Sequence, residues 1–321
     1  LIHTKICQQK KIRIIGDYDI DGIFSTYILY DGLKACGACV DYTLPHRIRD
    51  GYGLSEKLIR DAYEQGCDTI LTCDNGIAAA AEIALAKQLG MTVIVTDHHE
   101  VPLHWEGDTS TAVLPAADAV VDPKRTDCAY PWKGICGAVV AWKVLWLVQR
   151  ICGQPDAWEK YLAFAAFATI GDVMELRGEN RTITALGLQQ LRQTDNVGLQ
   201  ALIAASGLEP DQIRAYHIGY VIGPCINATG RLDTAKRALE LLTETDTLRA
   251  QQIAQELVSL NEERKQLTAE GVEEAVRIVE ERELWKKPVL VVYLPQTHES
   301  LAGIIAGRLR ERYYRPTYVL T

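Results

Sequence analysis

Three short apolar runs, each closed by a turn rich in carboxylate or imidazole side chains, constrain this chain more than any other feature. Residues 12–15 (IRII) end in Gly16 and then Asp17, Asp19 and Asp21. Residues 69–73 (TILTC) end in Asp74-Asn75-Gly76, and residues 92–96 (TVIVT) end in Asp97-His98-His99. Apolar runs of this length between turn residues read as buried strands. Helical patterns separate them: 23–34, closed by Gly37; 56–65, behind the capping residue Ser55; and 77–89, closed by Gly90. Further strands are expected at 40–44 and 119–121. The alternation predicts an α/β fold, a doubly wound and mostly parallel sheet. In such sheets ligands bind beyond the carboxyl ends of the strands, so the three turns converge on one crevice.

From Gly134 the pattern turns helical. Apolar helices are expected over 138–148 and 157–170, the second ending at Gly171-Asp172-Val173. Helices over 181–191 and 197–205 follow, then residues 218–225 and a turn, INATGRLDTA. A proline-free run rich in Gln, Glu, Arg and Lys, 247–283, carries leucine and valine at helical spacing and reads as one long amphipathic helix stopped by Pro288. A strand at 289–293, a helix at 300–313 and a strand at 317–320 make one β-α-β unit, the incomplete start of a second α/β domain with no core of its own. The expected division is a catalytic domain at 1–245, a connector helix at 246–286 and the start of the second domain at 287–321. The opening LIHTKICQQKK reads as a chain entered in mid-helix, and both ends read as truncated.

Composition narrows the class. The chain is 48% apolar and 24% charged, which is ordinary globular usage. No apolar stretch approaches the length of a membrane span. The net charge of -8 excludes a broadly basic nucleic-acid coat but leaves room for a local basic groove. The nine cysteines are odd in number and sit mostly beside apolar residues, which fits reduced thiols of a cytoplasmic protein. Cys36-Gly-Ala-Cys39 lacks the second pair that a zinc site needs.

Asp17, Asp19 and Asp21 repel one another, and burying them together is costly unless cations neutralise them. A bland alternative is an acidic turn with a capping aspartate. Two adjacent histidines on the same edge as two other acidic turns favour metal instead. Carboxylates with imidazole suit Mn²⁺, and also Mg²⁺, Co²⁺ or Zn²⁺. There are ligands enough for two ions, with Asp74 bridging, the first aspartate cluster on one side and His98 and Asp172 on the other. Paired ions about 3.5–4 Å apart are a common device for hydrolysing phosphate esters. His99 is then free to contact phosphate or to handle a proton.

The segments GDYDIDG, TCDNGI, TDHH and IGDV, in that order, resemble the four metal-binding motifs of the DHH phosphoesterase superfamily. HRIRDGYGL, IGPCINATGR and THESLAGIIAGRLRERYYRP resemble its branch of single-stranded-DNA-specific 5′→3′ exonucleases. The resemblance implies Asp19 and Asp21 as first-motif ligands with Asp17 as the leading acid. It implies Asp74 as the bridging carboxylate, His98 as a ligand, His99 facing the scissile phosphate and Asp172 as the fourth-motif ligand. It places Asn227 and Arg231 near substrate phosphates, with Arg47 as a weaker candidate. His298 matches a WHEG-like segment in which Thr297 and Ser300 replace the tryptophan and the glycine, and it receives no role. The superfamily branch continues into a glycine-rich GGGH-type segment and an oligonucleotide-binding domain, which would supply much of the grip on single strands.

The function so implied is a two-metal phosphodiesterase that releases mononucleotides from the 5′ end of single-stranded DNA in repair or recombination. It would use two Mn²⁺, with Mg²⁺ as the alternative. Single-stranded DNA is the expected partner, with single-strand-binding protein or a helicase as further candidates and no membrane. One rival is a DHH enzyme acting on oligoribonucleotides, cyclic dinucleotides or polyphosphate. The other is a non-catalytic DHH scaffold, against which the complete ligand set argues.

Overall fold

β1 (Ile12–Ile15), β2 (Val40–Thr43), β3 (Thr69–Cys73), β4 (Thr92–Thr96) and β5 (Ala119–Val121) form one sheet in the computed structural model, which describes all 321 residues. The strand order is β2–β1–β3–β4–β5 and every pairing is parallel. Helices α1 (Ile20–Ala35), α2 (Glu56–Glu64) and α3 (Ala80–Gln88) connect the first four strands. Strand residues alternate between the two faces. Ile70, Val93 and Val95 pack with α2 and α3, while Ile14, Leu71 and Ile94 join the larger core on the other side. There α1 lies between the sheet and two further helices, α4 (Gly137–Ile151) and α5 (Leu162–Gly171). Being covered nearly all round, α1 is apolar on every side, and Phe24 stacks on Phe167 of α5 at 4.6 Å.

α6 (Gly178–Leu191) packs on α5, and α7 (Val197–Ala205) follows. A π-helical turn, Ile218–Ile222, runs into α8 (Gly223–Leu232), and α9 (Lys236–Thr243) leads to the 35-residue α10 (Thr247–Glu281). Asp246 caps α10 through the N–H of Arg249. Ala250, Ile253, Ala254 and Leu257, at helical spacing, complete the large core. Farther along, Ala275 and Val279 join a second core with β6 (Leu290–Tyr293) and α11 (Glu299–Tyr313), against which β7 (Thr317–Leu320) also packs. No helix is long and apolar enough to cross a membrane.

Several elements depart from expectation for identifiable reasons. α1 begins at Ile20 rather than at 23, because Asp19 caps it. α3 begins at Ala80 rather than 77, after a turn in which the N–H of Ile77 donates to Asp97 Oδ2 at 2.9 Å. Residues 157–170 split into a 3₁₀ turn, Ala157–Tyr161, and α5. The INATGR segment is the helix α8 and not a turn. Pro224 stands in its first turn, where its missing N–H costs nothing. Gly230 lies inside it because the Tyr18 carbonyl packs against that position. α10 stops at Glu281, before Pro288, and Glu283 takes the left-handed conformation with φ 49°. An exposed hairpin, Leu103–Glu106 paired with Thr109–Ala112, was not anticipated, though Gly107 at φ 61° is an ordinary hairpin signal. The C-terminal β-α-β unit does close a core, by borrowing one face of α10.

The tightest of these contacts is testable. Gly230→Ala drives a methyl group into the Tyr18 carbonyl. It is expected to cost about 1–3 kcal/mol of unfolding free energy, read by urea denaturation. A cost within experimental error would mean that the approach of α8 to the β1–α1 turn is looser than described.

Candidate metal centre

Each turn at the carboxyl edge of the sheet presents its side chains differently. Asp17 is buried, and neither of its carboxylate oxygens has a hydrogen-bond partner. Asp19 caps α1, accepting from the N–H groups of Asp21 at 3.0 Å and Gly22 at 3.1 Å. Asp21 lies within the first turn of α1 and not, as expected, on the loop before it. Its two oxygens accept from the backbone N–H groups of Gly137 at 2.6 Å and Ala138 at 2.8 Å. The positive end of the α4 dipole therefore faces this carboxylate.

Asp74 has φ 61°, a left-handed conformation that aspartate tolerates better than most residues. The Asn75 side-chain amide holds that turn by donating to the carbonyls of Ile15 at 3.1 Å and Cys73 at 2.9 Å. Asp97 gathers the β4 turn. Its Oδ1 accepts from the N–H of His98 at 2.7 Å and stands 2.7 Å from Nδ1 of His99. Nε2 of His98 lies 3.0 Å from Asp74 and 3.4 Å from Asp21. Asp172 is the C-terminal cap of α5.

Three overlapping sets of these residues bring one ligand atom each within 4.8 Å of the others: Asp17, Asp19 and Asp74; Asp74, His98 and His99; Asp21, His98 and Asp172. Asp74 joins the first two sets and His98 the last two. The charge balance is strained. Burial, then the neighbouring Asp19, pushes Asp17 up to about 7. Burial, then Asp21 and Asp19, pushes Asp172 up to about 7. Asp74 is raised well above the carboxylate range by burial and then by Asp21, Asp19 and Asp17. Asp97 behaves oppositely: burial works against its charge, but the hydrogen bond and charge of His99 hold its pKa low. The same bond raises His99, while burial lowers His98 and favours the neutral ring that a metal requires. Orphaned buried oxygens on Asp17 and an unpaired Nδ1 on His98 complete a donor set of hard oxygen with imidazole. That set fits divalent cations of the Mn²⁺ and Mg²⁺ type. Asp122, which follows β5, is also buried and pushed up to about 6 by burial, but it joins none of the three sets.

Beside the carboxylates opens a cavity of about 280 Å³, whose walls include Asp17, Asp19, Asp172, Arg47, Asn227 and Arg231. All three expected phosphate-side residues are thus brought to one space. Asn227 has a structural task as well, since its Oδ1 accepts from the Ile20 N–H at 2.9 Å. Arg231 donates to the Ser300 carbonyl at 3.0 Å and lacks a carboxylate partner. Burial, then the charges of Arg47 and Arg264, pulls its pKa below the usual arginine value, so an anion here would be welcome. The Arg47 guanidinium rests 5.0 Å over the Tyr18 ring. His298 caps α11, with Nδ1 2.7 Å from Ser300 Oγ.

Two contributors escaped the sequence reading. Asp97 was read only as part of a triplet, yet it orients His99. Tyr52, in the DGYGL loop, places its hydroxyl 3.1 Å from the Asp74 carbonyl and 3.1 Å from His99 Nε2. The glycines and aspartate around Tyr52 signal a turn, and nothing local says which way its ring points.

Comparison with known proteins identifies the relatives of this chain. The DHH family, N-terminal domain, matches residues 11–169. The single-stranded-DNA-specific exonuclease RecJ of Bacillus subtilis (strain 168) is 38% identical over 320 residues, 99% of this chain and 39% of that protein. A crystal structure of exonuclease RecJ bound to manganese superimposes with a TM-score of 0.85 at 34% identity, covering 99% of this chain and 77% of that one. RecJ of Thermus thermophilus in complex with Mn²⁺ gives 0.80 at 32% identity, covering 99% and 44%. The chain spans between 39% and 56% of the length of the curated RecJ relatives it matches.

The strained charge balance predicts how the metal-free fold responds to pH. Asp17 and Asp172 keep protons up to about 7 when folded but lose them near 3.8 when unfolded. The folded state therefore binds more protons across that window, and its stability falls as pH rises through it. Melting temperature in chelator should decline from about pH 5 to about pH 8, and Mn²⁺ should raise it most at the upper end. A metal-free melting temperature that climbs over this range would contradict the arrangement.

Proposed function

The chain belongs to the DHH family, and from that premise we propose that it is a two-metal phosphodiesterase acting on single-stranded DNA from the 5′ end. The supporting observation is the set of three ligand groups that share Asp74 and His98, beside a cavity with two arginines free of carboxylate partners. In this reading Asp17, Asp19, Asp21, Asp74, His98 and Asp172 would hold two divalent ions, Mn²⁺ or Mg²⁺, with Asp74 as a residue that two of the ligand groups share. The ions, when bound, would polarise the phosphoryl group and favour deprotonation of water.

The chain's own residues do the rest. Asp97 fixes the His99 ring through Nδ1 at 2.7 Å. It also favours the charged imidazolium, whose Nε2–H faces the Tyr52 hydroxyl at 3.1 Å; on exchanging that hydroxyl for substrate, the same N–H can hold a phosphate oxygen and donate a proton to the leaving oxygen. Arg231 and Arg47 receive phosphates, and Asn227 shapes the wall while locking α8 to α1. We read 1–245 as the catalytic unit, 246–286 as connector and 287–321 as part of a DHH-associated domain. The split of buried residues between the two ends of α10 supports this division. A cytoplasmic setting, with single strands presented by single-strand-binding protein or a helicase, completes the reading.

The decisive assay is hydrolysis of a 5′-phosphorylated single-stranded oligonucleotide with Mn²⁺, beside duplex and oligoribonucleotide controls. Mononucleotides should leave from the 5′ end, and Asp74→Ala should abolish both release and metal binding. His99→Ala should lower kcat by about 10²–10⁴ with metal content retained. Tyr52→Phe, which deletes one neutral hydrogen-bonding group, should cost about fivefold. Preference for the oligoribonucleotide, or release from the 3′ end, would overturn the substrate assignment.

A further inference from the structure

Tyr216 and Tyr220 lie just before α8, on the helical run that carries Asn227 and Arg231 into the cavity. Their rings stack on each other with centroids 5.1 Å apart and planes at 26°. The residues are nevertheless 62% and 71% exposed. They are not the unfilled side of an amphipathic helix: the apolar residues of that segment, Ile218 and Ile222, are fully buried already. The two tyrosines and the Asn227–Arg231 face share one continuous helical run, with the π-helical turn Ile218–Ile222 setting the phase between them. Tyr220 stands on the order of 15 Å and Tyr216 on the order of 20 Å along that run from Arg231.

Packing also fixes which flank of the cavity they occupy. Gly223, one turn beyond Tyr220, and Gly171, beside Asp172, both close onto the Ile20 side chain. The tyrosine pair therefore sits on the Asp172 side. Next to Asp172 stands Val173, 87% exposed with φ 57°, a conformation strained for a β-branched residue. Val173 lines the cavity on this side, with the tyrosine pair beyond it, while Arg47 and Arg231 supply the cationic wall.

We propose that Tyr216 and Tyr220 form a stacking platform for the bases of a single-stranded nucleic acid whose phosphate backbone enters the carboxylate cavity. This rests on the phosphodiesterase reading and extends it to the nucleotides outside the scissile bond. Stacked on each other, the rings keep one outer face each, and such a face suits bases of any sequence, since every base has a π-face to offer. A partner helix would instead need an apolar groove, and this segment has none to spare. The platform also offers grip without positive charge, which fits a chain of net charge -8.

The test compares wild type, Tyr216→Ala/Tyr220→Ala and Tyr216→Phe/Tyr220→Phe by fluorescence anisotropy, using thymidine strands of three and of twelve nucleotides with Ca²⁺. The alanine pair should weaken the longer strand by about tenfold or more and the trinucleotide hardly at all. The phenylalanine pair should bind like wild type, because stacking needs the ring and not the hydroxyl. Unchanged melting temperatures would certify folding. Equal affinity of wild type and the alanine pair for the longer strand overturns the platform while the nuclease reading stands. So does an equal loss on both lengths, which would mark a general disturbance. A wild-type chain that neither binds nor cleaves single strands overturns the nuclease reading and the platform with it.

Discussion

Mutual repulsion among buried carboxylates is the constraint to which the rest of this structure answers. Asp17, Asp21, Asp74 and Asp97 are all buried at one edge of one sheet, where like charges interact strongly. The fold meets this with backbone dipoles. Asp19 takes the N-terminus of α1, Asp21 takes that of α4, and Asp97 takes the N–H groups of Ile77, His98 and His99. The Asp17 oxygens have no hydrogen-bond partner and Asp74 Oδ1 meets only the imidazoles of His98 and His99, so these two carboxylates keep the most unrelieved charge.

The same constraint explains the architecture. A parallel sheet puts the ends of β1, β3 and β4 side by side, with Ile15 paired to Thr72 and Cys73 to Thr96. An antiparallel sheet would send alternate turns to opposite edges. Bringing the end of α4 against Asp21 also demands a residue without a side chain. A Cβ on Gly137 would stand 2.7 Å from Asp74 Cβ. α1 must then be buried between sheet and helices, because its N-terminus is fixed at the centre of the charge cluster. The apolar residues on all its sides, among them Ile23, Phe24, Ile28, Leu29 and Leu33, follow from that position.

The strand ends were legible because period and punctuation agree there: β1, β3 and β4 were read residue for residue, and the acidic turns after them did converge. Asp21 was misplaced because a helix may begin inside an acidic turn: Asp19 caps α1, and the turn alone does not say which of its aspartates is the cap. The INATGR helix was hidden by its glycine. Gly230 reads as a turn residue, yet it answers to a distant neighbour, the Tyr18 carbonyl. Tyr52 was invisible for a related reason: a loop residue declares its side-chain partners only once the loop is folded over the site. What the sequence concealed was mostly long-range contact, together with the choice of cap in one acidic turn, and what it displayed was local periodicity.

The long helix α10 links the two cores in a way that bears on the site. A single helix of 35 residues spans roughly 50 Å. Leu257 near one end belongs to the large core and Val279 near the other belongs to the small one. With no break in it, the helix holds the C-terminal unit at a fixed distance from the sheet. That unit then reaches back: the Ser300 carbonyl, at the start of α11, accepts from Arg231 at 3.0 Å. The carboxylate centre is therefore assembled wholly from the first part of the chain, whereas the cationic wall opposite it is partly positioned by the second. Loosening α10 would leave the carboxylate centre intact and disturb the guanidinium that faces it.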